Sequence, residues 1–97
     1  MRFAWDTQLT DLLHNPVANE KGEPVTLSNL VVAALMAQDR KDLNGAEKFT
    51  RYQLAAKVAA NEDIDVTEAA LIKEVVGAVL TPLPVGRIWE LLEKPLT

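Results

Sequence analysis

Apolar residues recur at helical spacing over most of the chain after residue 27, and this pattern predicts four helices. The first helix begins near Leu27, where either Thr26 or Ser28 can supply an N-cap oxygen. Its apolar residues are three or four positions apart, as on one face of a helix, and they are Leu27, Leu30, Val31, Ala34 and Leu35. The polar segment DRKDLNG is expected to connect this helix to the next.

The second predicted helix runs from about Ala46 to Ala60 and is apolar around most of its circumference. Asn44 followed by Glu47 resembles a capping box, with Asn in place of Ser or Thr. The polar residues form one narrow stripe, which consists of Thr50, Gln53, Lys57 and Asn61. A helix of this kind usually lies at the centre of a bundle, so we expect the bundle to pack around the second and third helices.

The third and fourth predicted helices follow the segments NEDIDV and TPLP. Thr67 is expected to cap the third helix, and the fourth is expected to start near Pro84 or Val85 and to stop at Pro95. The predicted core comprises Leu30, Val31, Leu35, Phe49, Tyr52, Ala55, Leu71, Val75, Val79, Ile88, Trp89 and Leu92.

The first 27 residues are the least helical part of the chain and predict a β-hairpin. Residues 9–13 and 24–27 contain apolar side chains. The segment HNPVANEKGEPVTL, which follows the first stretch and includes the second, supplies Asn, Pro and Gly. This segment is interpreted as a hairpin turn rather than a phosphate loop, because it has a single Gly and no following Lys-Ser/Thr pattern. The predicted fold is therefore mainly α, a four-helix orthogonal or antiparallel bundle (28–94) with an N-terminal β-hairpin (3–27). Residues 1–97 are expected to form a single domain.

Composition and charge narrow the classes of function. The chain has 97 residues, a formal net charge of −4 and no cysteine, which excludes disulfides and thiol chemistry. An acidic balance argues against general nucleic-acid binding, which needs a basic patch. No apolar run is long enough for a membrane span, and the N-terminus lacks the apolar stretch of a secretory signal. We therefore expect a cytoplasmic protein with no membrane association.

Patterns typical of catalysis or metal binding are few. His14 is the single histidine, and Asp11 is near enough in sequence to form a pair with it, although a surface or turn position is the commoner role. Asn61, Asp63 and Asp65 alternate as in a calcium loop, but Val66 and Ile72 occupy the positions that require Gly and Glu. No catalytic residue, cofactor or metal site is predicted, and the chain is expected not to be an enzyme.

The aromatic and basic residues offer two further candidate sites. Phe3 and Trp5 are the candidate partner-binding residues, because tryptophan is enriched at interface hot spots; burial in the same domain is the alternative and the commoner situation. The densest basic positions, Arg40-Lys41 and Lys48 with Arg51, are each offset by neighbouring acidic residues, and nucleic acid is not the expected partner.

Three stretches, EKFTRYQLAAKV, DVTEAALIKEVVG and PLPVGRIWELLE, together with the turn NPVANEKGEPVTL, resemble small proteins encoded by bacteriophages and prophages. The resemblance extends from about His14 to Glu93. The chain departs from that pattern in its NPV turn, where Gly would precede Pro, and in the second proline of PLPVG. The resemblance implies no activity and no functional residues, and it implies a phage accessory or assembly protein.

A non-enzymatic protein-interaction module is the function that these observations favour. The alternatives are a DNA-binding regulator that uses the last two helices, and a small enzyme or enzyme inhibitor. The wide apolar faces of the second and third predicted helices fit two arrangements, a homo-oligomer or burial of the excess apolar surface under the hairpin.

Overall fold

Four α-helices are the regular elements of the computed structural model, which describes residues 1–37 and 42–96. They are α1 (Leu27–Met36), α2 (Gly45–Ala59), α3 (Val66–Val79) and α4 (Pro82–Leu92). The helices pack against one another in one compact body, which confirms the mainly helical class. Helix α4 begins at Pro82, two residues before the predicted start, because a proline is tolerated in the first turn.

The first helix, α1, lies at the centre of the fold. It packs against each of the other three helices, and Val31 and Ala34 are completely buried. The prediction that the bundle packs around the second and third helices is therefore wrong. Helix α2 buries one side only, which consists of Arg51, Leu54, Ala55 and Val58.

The predicted core is correct on the helix faces that point to α1 and wrong on the outer faces. Six predicted members are buried: Val31, Leu35, Ala55, Val75, Ile88 and Leu92. Three more pack at its edge: Leu30, Leu71 and Val79. Phe49, Tyr52 and Trp89 are 58%, 56% and 41% exposed, because they lie outside the sides of α2 and α4 that are buried.

The N-terminal segment does not form the predicted β-hairpin. Its described residues make three single antiparallel bridges instead, Gln8–Thr26, Thr10–Pro16 and Ala18–Pro24. The amide of Leu9 donates to Val25, that of Val25 to Val17, and that of Val17 back to Leu9, at 2.7, 3.2 and 2.9 Å. Three extended segments thus close a ring of hydrogen bonds. Pro16 and Pro24 lack an N–H, so the two bridges that contain them, Thr10–Pro16 and Ala18–Pro24, cannot extend into a ladder.

An eight-residue repeat underlies this ring. Residues 9–16 (LTDLLHNP) and 17–24 (VANEKGEP) each run from a ring residue through a tight turn to a proline. Asp11 and Asn19 begin the two turns, and His14 and Gly22 occupy the same place with φ of 66° and 79°. A left-handed residue is needed at that position, and Gly adopts it without steric cost. The hairpin interpretation overlooked this repeat.

Helix α3 begins with a complete capping box. The Asp65 side chain accepts a hydrogen bond from the Glu68 amide at 2.7 Å, and the Glu68 side chain accepts one from the Asp65 amide at 2.9 Å. The N-cap is therefore Asp65, and the prediction of Thr67 is wrong. Glu68 also accepts from Lys57 of α2 at 2.8 Å, and this hydrogen bond raises the pKa of Lys57.

We expect Asp65→Ala to lower the free energy of unfolding by about 0.5–2 kcal/mol, because the amides of the first turn lose their acceptor. Thr67→Ala is the matched control. Its side chain lies in the first turn beyond the cap, and we expect a change within about 0.5 kcal/mol. Urea denaturation measured by circular dichroism compares the two variants, and a larger loss for Thr67→Ala would contradict the assigned cap.

Candidate protein-interaction surface

The turn formed by residues 11–15 is held by the side chain and backbone of Asp11. Its Oδ1 atom accepts hydrogen bonds from the amides of Leu13 and Asn15, both at 2.9 Å. The Asp11 amide donates to the Asn15 carbonyl at 2.9 Å, and the Asp11 carbonyl accepts from the His14 amide at 3.0 Å. These bonds fix the backbone on either side of Leu12, so the loop has a defined shape.

Arg87 of α4 ties the same turn to the helical bundle. Its Nε atom donates to the Thr10 carbonyl at 3.2 Å, and its Nη2 atom donates to the Asp11 carbonyl. The side chain of Arg87 is 17% exposed. Because two atoms of one planar guanidinium bind adjacent carbonyls, the turn is held in both position and orientation.

Two leucines occupy the tip of this turn and face solvent. Leu12 is 82% exposed and Leu13 is 81% exposed, the highest values among the large apolar residues that the structure describes. The equivalent tip in the second repeat carries Glu20 and Lys21, which are ordinary surface residues. The turn therefore does not require apolar side chains at its tip.

The exposed leucines adjoin an apolar groove. Leu12 and Leu13, with Asp11, Pro82 and Leu83, line a groove of about 520 Å³. Pro82 also lines a second groove of about 450 Å³, whose wall includes Leu80, Val85 and Trp89. The leucine-loop surface is defined here as Leu12, Leu13, Leu80, Pro82, Leu83, Val85 and Trp89. A contiguous apolar surface of this kind is more informative than single exposed leucines, which are common.

Charged groups lie at both ends of this surface, on α3 and α4 beside Trp89 and in the turn beside the leucines. The Nζ atom of Lys73 lies 5.2 Å from the centre of the Trp89 ring, and it also lies 3.9 Å from Glu93. At the other end, the hydrogen bond from the Asn15 amide lowers the pKa of Asp11 below its usual value. The carboxylate that shapes the leucine turn is thus ionised at neutral pH.

Phe3 and Trp5, the predicted partner-binding residues, are buried in the core. Each is 1% exposed, and their ring centres are 5.6 Å apart. The prediction that they face a partner is wrong, because the N-terminal segment places both side chains in the hydrophobic core. The amide of Ser28 donates to the Trp5 carbonyl and the amide of Ile64 donates to the Met1 carbonyl, both at 2.9 Å. The structure thus agrees with the alternative of burial.

The other sequence candidates do not come together. His14 is an exposed turn residue with positive φ. Across residues 1–37 and 42–96, no group of three or more His, Cys, Asp or Glu side chains is arranged to hold a metal ion. In the same ranges, no helix has the length and apolar character needed to cross a membrane. Arg40 and Lys41 lie outside the described residues.

Comparisons with protein-family models, with curated proteins and with solved structures give no match to this chain. The chemistry of the chain's own surface is therefore the basis for assigning a function. Sequence reasoning missed the leucine-loop surface, although the signal was present. The eight-residue repeat aligns Leu12-Leu13 with Glu20-Lys21, and that comparison identifies the leucines as a departure from the ordinary polar tip.

Proposed function

We propose that the protein is a non-enzymatic protein-interaction module that binds its partner through the leucine-loop surface. One observation carries the proposal. Two turns of the same design have different tips, and the one tied to α4 by Arg87 presents two leucines that are more than 80% exposed. Full burial of a leucine contributes about 1.5–3 kcal/mol, and this turn forgoes that gain twice.

The partner that suits this surface presents an apolar face of its own. The leucines line one groove and Trp89 lines a second, and Pro82 belongs to the wall of both. Interface cores are poor in charge and rich in aromatic residues, which matches a tryptophan set among leucine, proline and valine. A preformed turn also lowers the entropy that binding must remove, because its backbone is already ordered.

A tip exchange tests this proposal. In the variant Leu12→Glu with Leu13→Lys, the first turn takes the tip of the second, so we expect the fold to persist. Proteins captured from the native host by the wild-type chain are identified by mass spectrometry. We expect the tip-exchange variant to lose a specific partner that the wild-type chain retains.

The matched control exchanges the charges at the other tip, as Glu20→Lys with Lys21→Glu. This variant makes two substitutions at the equivalent positions and leaves the leucines in place, so we expect it to retain the partner. If the wild-type chain, the tip-exchange variant and the control all capture the same proteins, the leucine-loop surface is not the binding surface.

The resemblance to proteins of bacteriophages and prophages supports a narrower proposal about the partner. It is either a phage protein that takes part in assembly or a host protein whose activity this chain modulates during infection. Capture from a host carrying the phage, compared with capture from the host alone, separates these two sources. The genes that flank this one give an independent indication, because assembly genes are expected nearby if the first source is correct.

A further inference from the structure

The chain has five asparagines, and only Asn44 is followed by glycine. An asparagine side chain loses ammonia when the backbone nitrogen of the next residue attacks the side-chain amide carbon and closes a five-membered succinimide ring. A following glycine favours this step, because it has no Cβ to crowd the ring and its backbone is conformationally permissive. The sequence therefore favours spontaneous deamidation at Asn44 over the other asparagines.

The structure leaves both partners of this reaction accessible. Asn44 and Gly45 are exposed, and a Cβ added at Gly45 would meet no atom within 4 Å. Gly45 is the first residue of α2, so its amide is one of the four that lack an acceptor within the helix. Asn44 precedes the helix with an extended backbone, at φ −83° and ψ 174°. The attacking nitrogen is thus not held in the hydrogen bonds of the helix.

The other asparagines are each held back by their surroundings. Pro16 follows Asn15 and has no N–H, so no succinimide can form there. The amides that follow Asn29 and Asn61 donate to backbone carbonyls of the preceding turn, at 3.3 and 2.9 Å. The Asn19 side chain accepts from two amides of its own turn, at 2.9 and 3.0 Å, and the residue after it carries a Cβ. Local structure and sequence thus favour the same position.

One hydrogen bond restrains Asn44. Its side-chain oxygen caps α2 by accepting from the Glu47 amide at 2.8 Å. The side chain must turn out of this cap before the Gly45 nitrogen can reach its amide carbon. A side-chain cap contributes about 1 kcal/mol, which corresponds to about a five-fold slowing of the reaction. The fold therefore delays deamidation at Asn44 without preventing it.

We propose that Asn44 is a site of spontaneous deamidation, by which the N-terminus of α2 gains a negative charge. The Gly45 nitrogen forms a bond to the side-chain carbon of Asn44, and the side-chain NH2 group leaves as ammonia with the proton of the Gly45 amide. Water then opens the ring. Hydrolysis of the new bond restores the main chain and gives aspartate, whereas hydrolysis of the original peptide bond gives isoaspartate, whose main chain runs through the side-chain carbon.

The two products have different effects on α2. Aspartate caps a helix as well as asparagine does, and its charge is favourable at the positive end of the helix dipole. Isoaspartate lengthens the main chain by one carbon before Gly45, so its carboxylate loses the cap geometry at the Glu47 amide, and the first turn of α2 loosens. This modification involves no residue of the leucine-loop surface, and either proposal can hold without the other.

Peptide mapping by mass spectrometry tests the proposal on the full chain, incubated folded at neutral pH. We expect the mass gain of amide-to-acid conversion to accumulate in the tryptic peptide 42–48, which contains Asn44, and not at the other four asparagines. Gly45→Ala is the matched control. Its added Cβ has open space, so we expect the fold to persist and the mass gain to be lost over the same incubation. Faster conversion at another asparagine, or an equal gain in both chains, would overturn the proposal.

Unfolding tests the restraint by the cap. In guanidinium chloride the cap is absent, and we expect the rate constant at Asn44 to be about five-fold that of the folded chain. A folded chain that stays unmodified while the unfolded chain is fully converted would also overturn the proposal, because the fold would then prevent the reaction. Chromatography separates the two products, with Asn44→Asp as the standard for the first. We expect the isoaspartate product to unfold at lower urea concentration than Asn44→Asp, and equal midpoints would contradict the assigned loss of the cap.

Discussion

Trp5→Ala is expected to be the most destabilising single substitution discussed for this protein, lowering the free energy of unfolding by about 3–5 kcal/mol. The indole is 1% exposed and packs against Phe3 within the central cluster, so its removal leaves a large cavity. A domain of this size has about 5–15 kcal/mol of stability in total, and the loss is a large part of it. Urea denaturation followed by far-ultraviolet circular dichroism measures it without dependence on tryptophan fluorescence.

Two further variants make that result specific. Trp89→Ala removes the same side chain from a position that is 41% exposed, and we expect a loss of about 1 kcal/mol. Trp5→Phe keeps most of the buried apolar surface, and it removes an indole N–H that has no hydrogen-bond partner in the described residues. It should therefore lose much less than Trp5→Ala. If Trp89→Ala is as damaging as Trp5→Ala, the N-terminal segment does not lie in the core as described.

The pattern of apolar residues predicted the helices because helical periodicity is a local property. All four helices were predicted. The prediction that Asn44 caps α2 is confirmed, because its side chain accepts a hydrogen bond from the Glu47 amide at 2.8 Å. The outward faces were harder to predict. Phe49 and Tyr52 resemble core residues in any periodicity analysis, and only the packing of α1 against α2 decides which side of α2 is buried.

The N-terminal segment was predicted less well, because its structure depends on pairing between residues that are distant in the sequence. Its turn residues were recognised, but their partners were not, because bridges such as Gln8–Thr26 join residues far apart in the chain. The same is true of the contact from Arg87 to the carbonyls of Thr10 and Asp11, which are more than 70 positions away. The eight-residue repeat marks Leu12 and Leu13 in the sequence, but the contacts that hold their turn against α4 are long-range and are seen only in the structure.

Arg87→Met is expected to loosen the leucine turn and to lower the free energy of unfolding by about 1.5–3 kcal/mol, the usual scale for a hydrogen bond that involves a charged group. Methionine retains much of the apolar stem of arginine, so the loss arises mainly from the two guanidinium hydrogen bonds to the carbonyls of Thr10 and Asp11. Hydrogen exchange adds a local measurement. The amides of Leu13 and Asn15, which donate to Asp11, should exchange faster than in the wild-type chain.

Arg2→Met and Arg87→Lys complete this experiment. Arg2 lies 3.5 Å from Asp63 in an exposed ion pair, and such pairs contribute little, so we expect almost no change in stability. Lysine keeps the charge at position 87 but lacks the planar fork that binds two carbonyls at once, so it should restore stability only in part. If Arg87→Met resembles Arg2→Met in both stability and amide exchange, the guanidinium does not hold the turn. The hydrogen bonds of Asp11 alone would then hold the turn that exposes the two leucines.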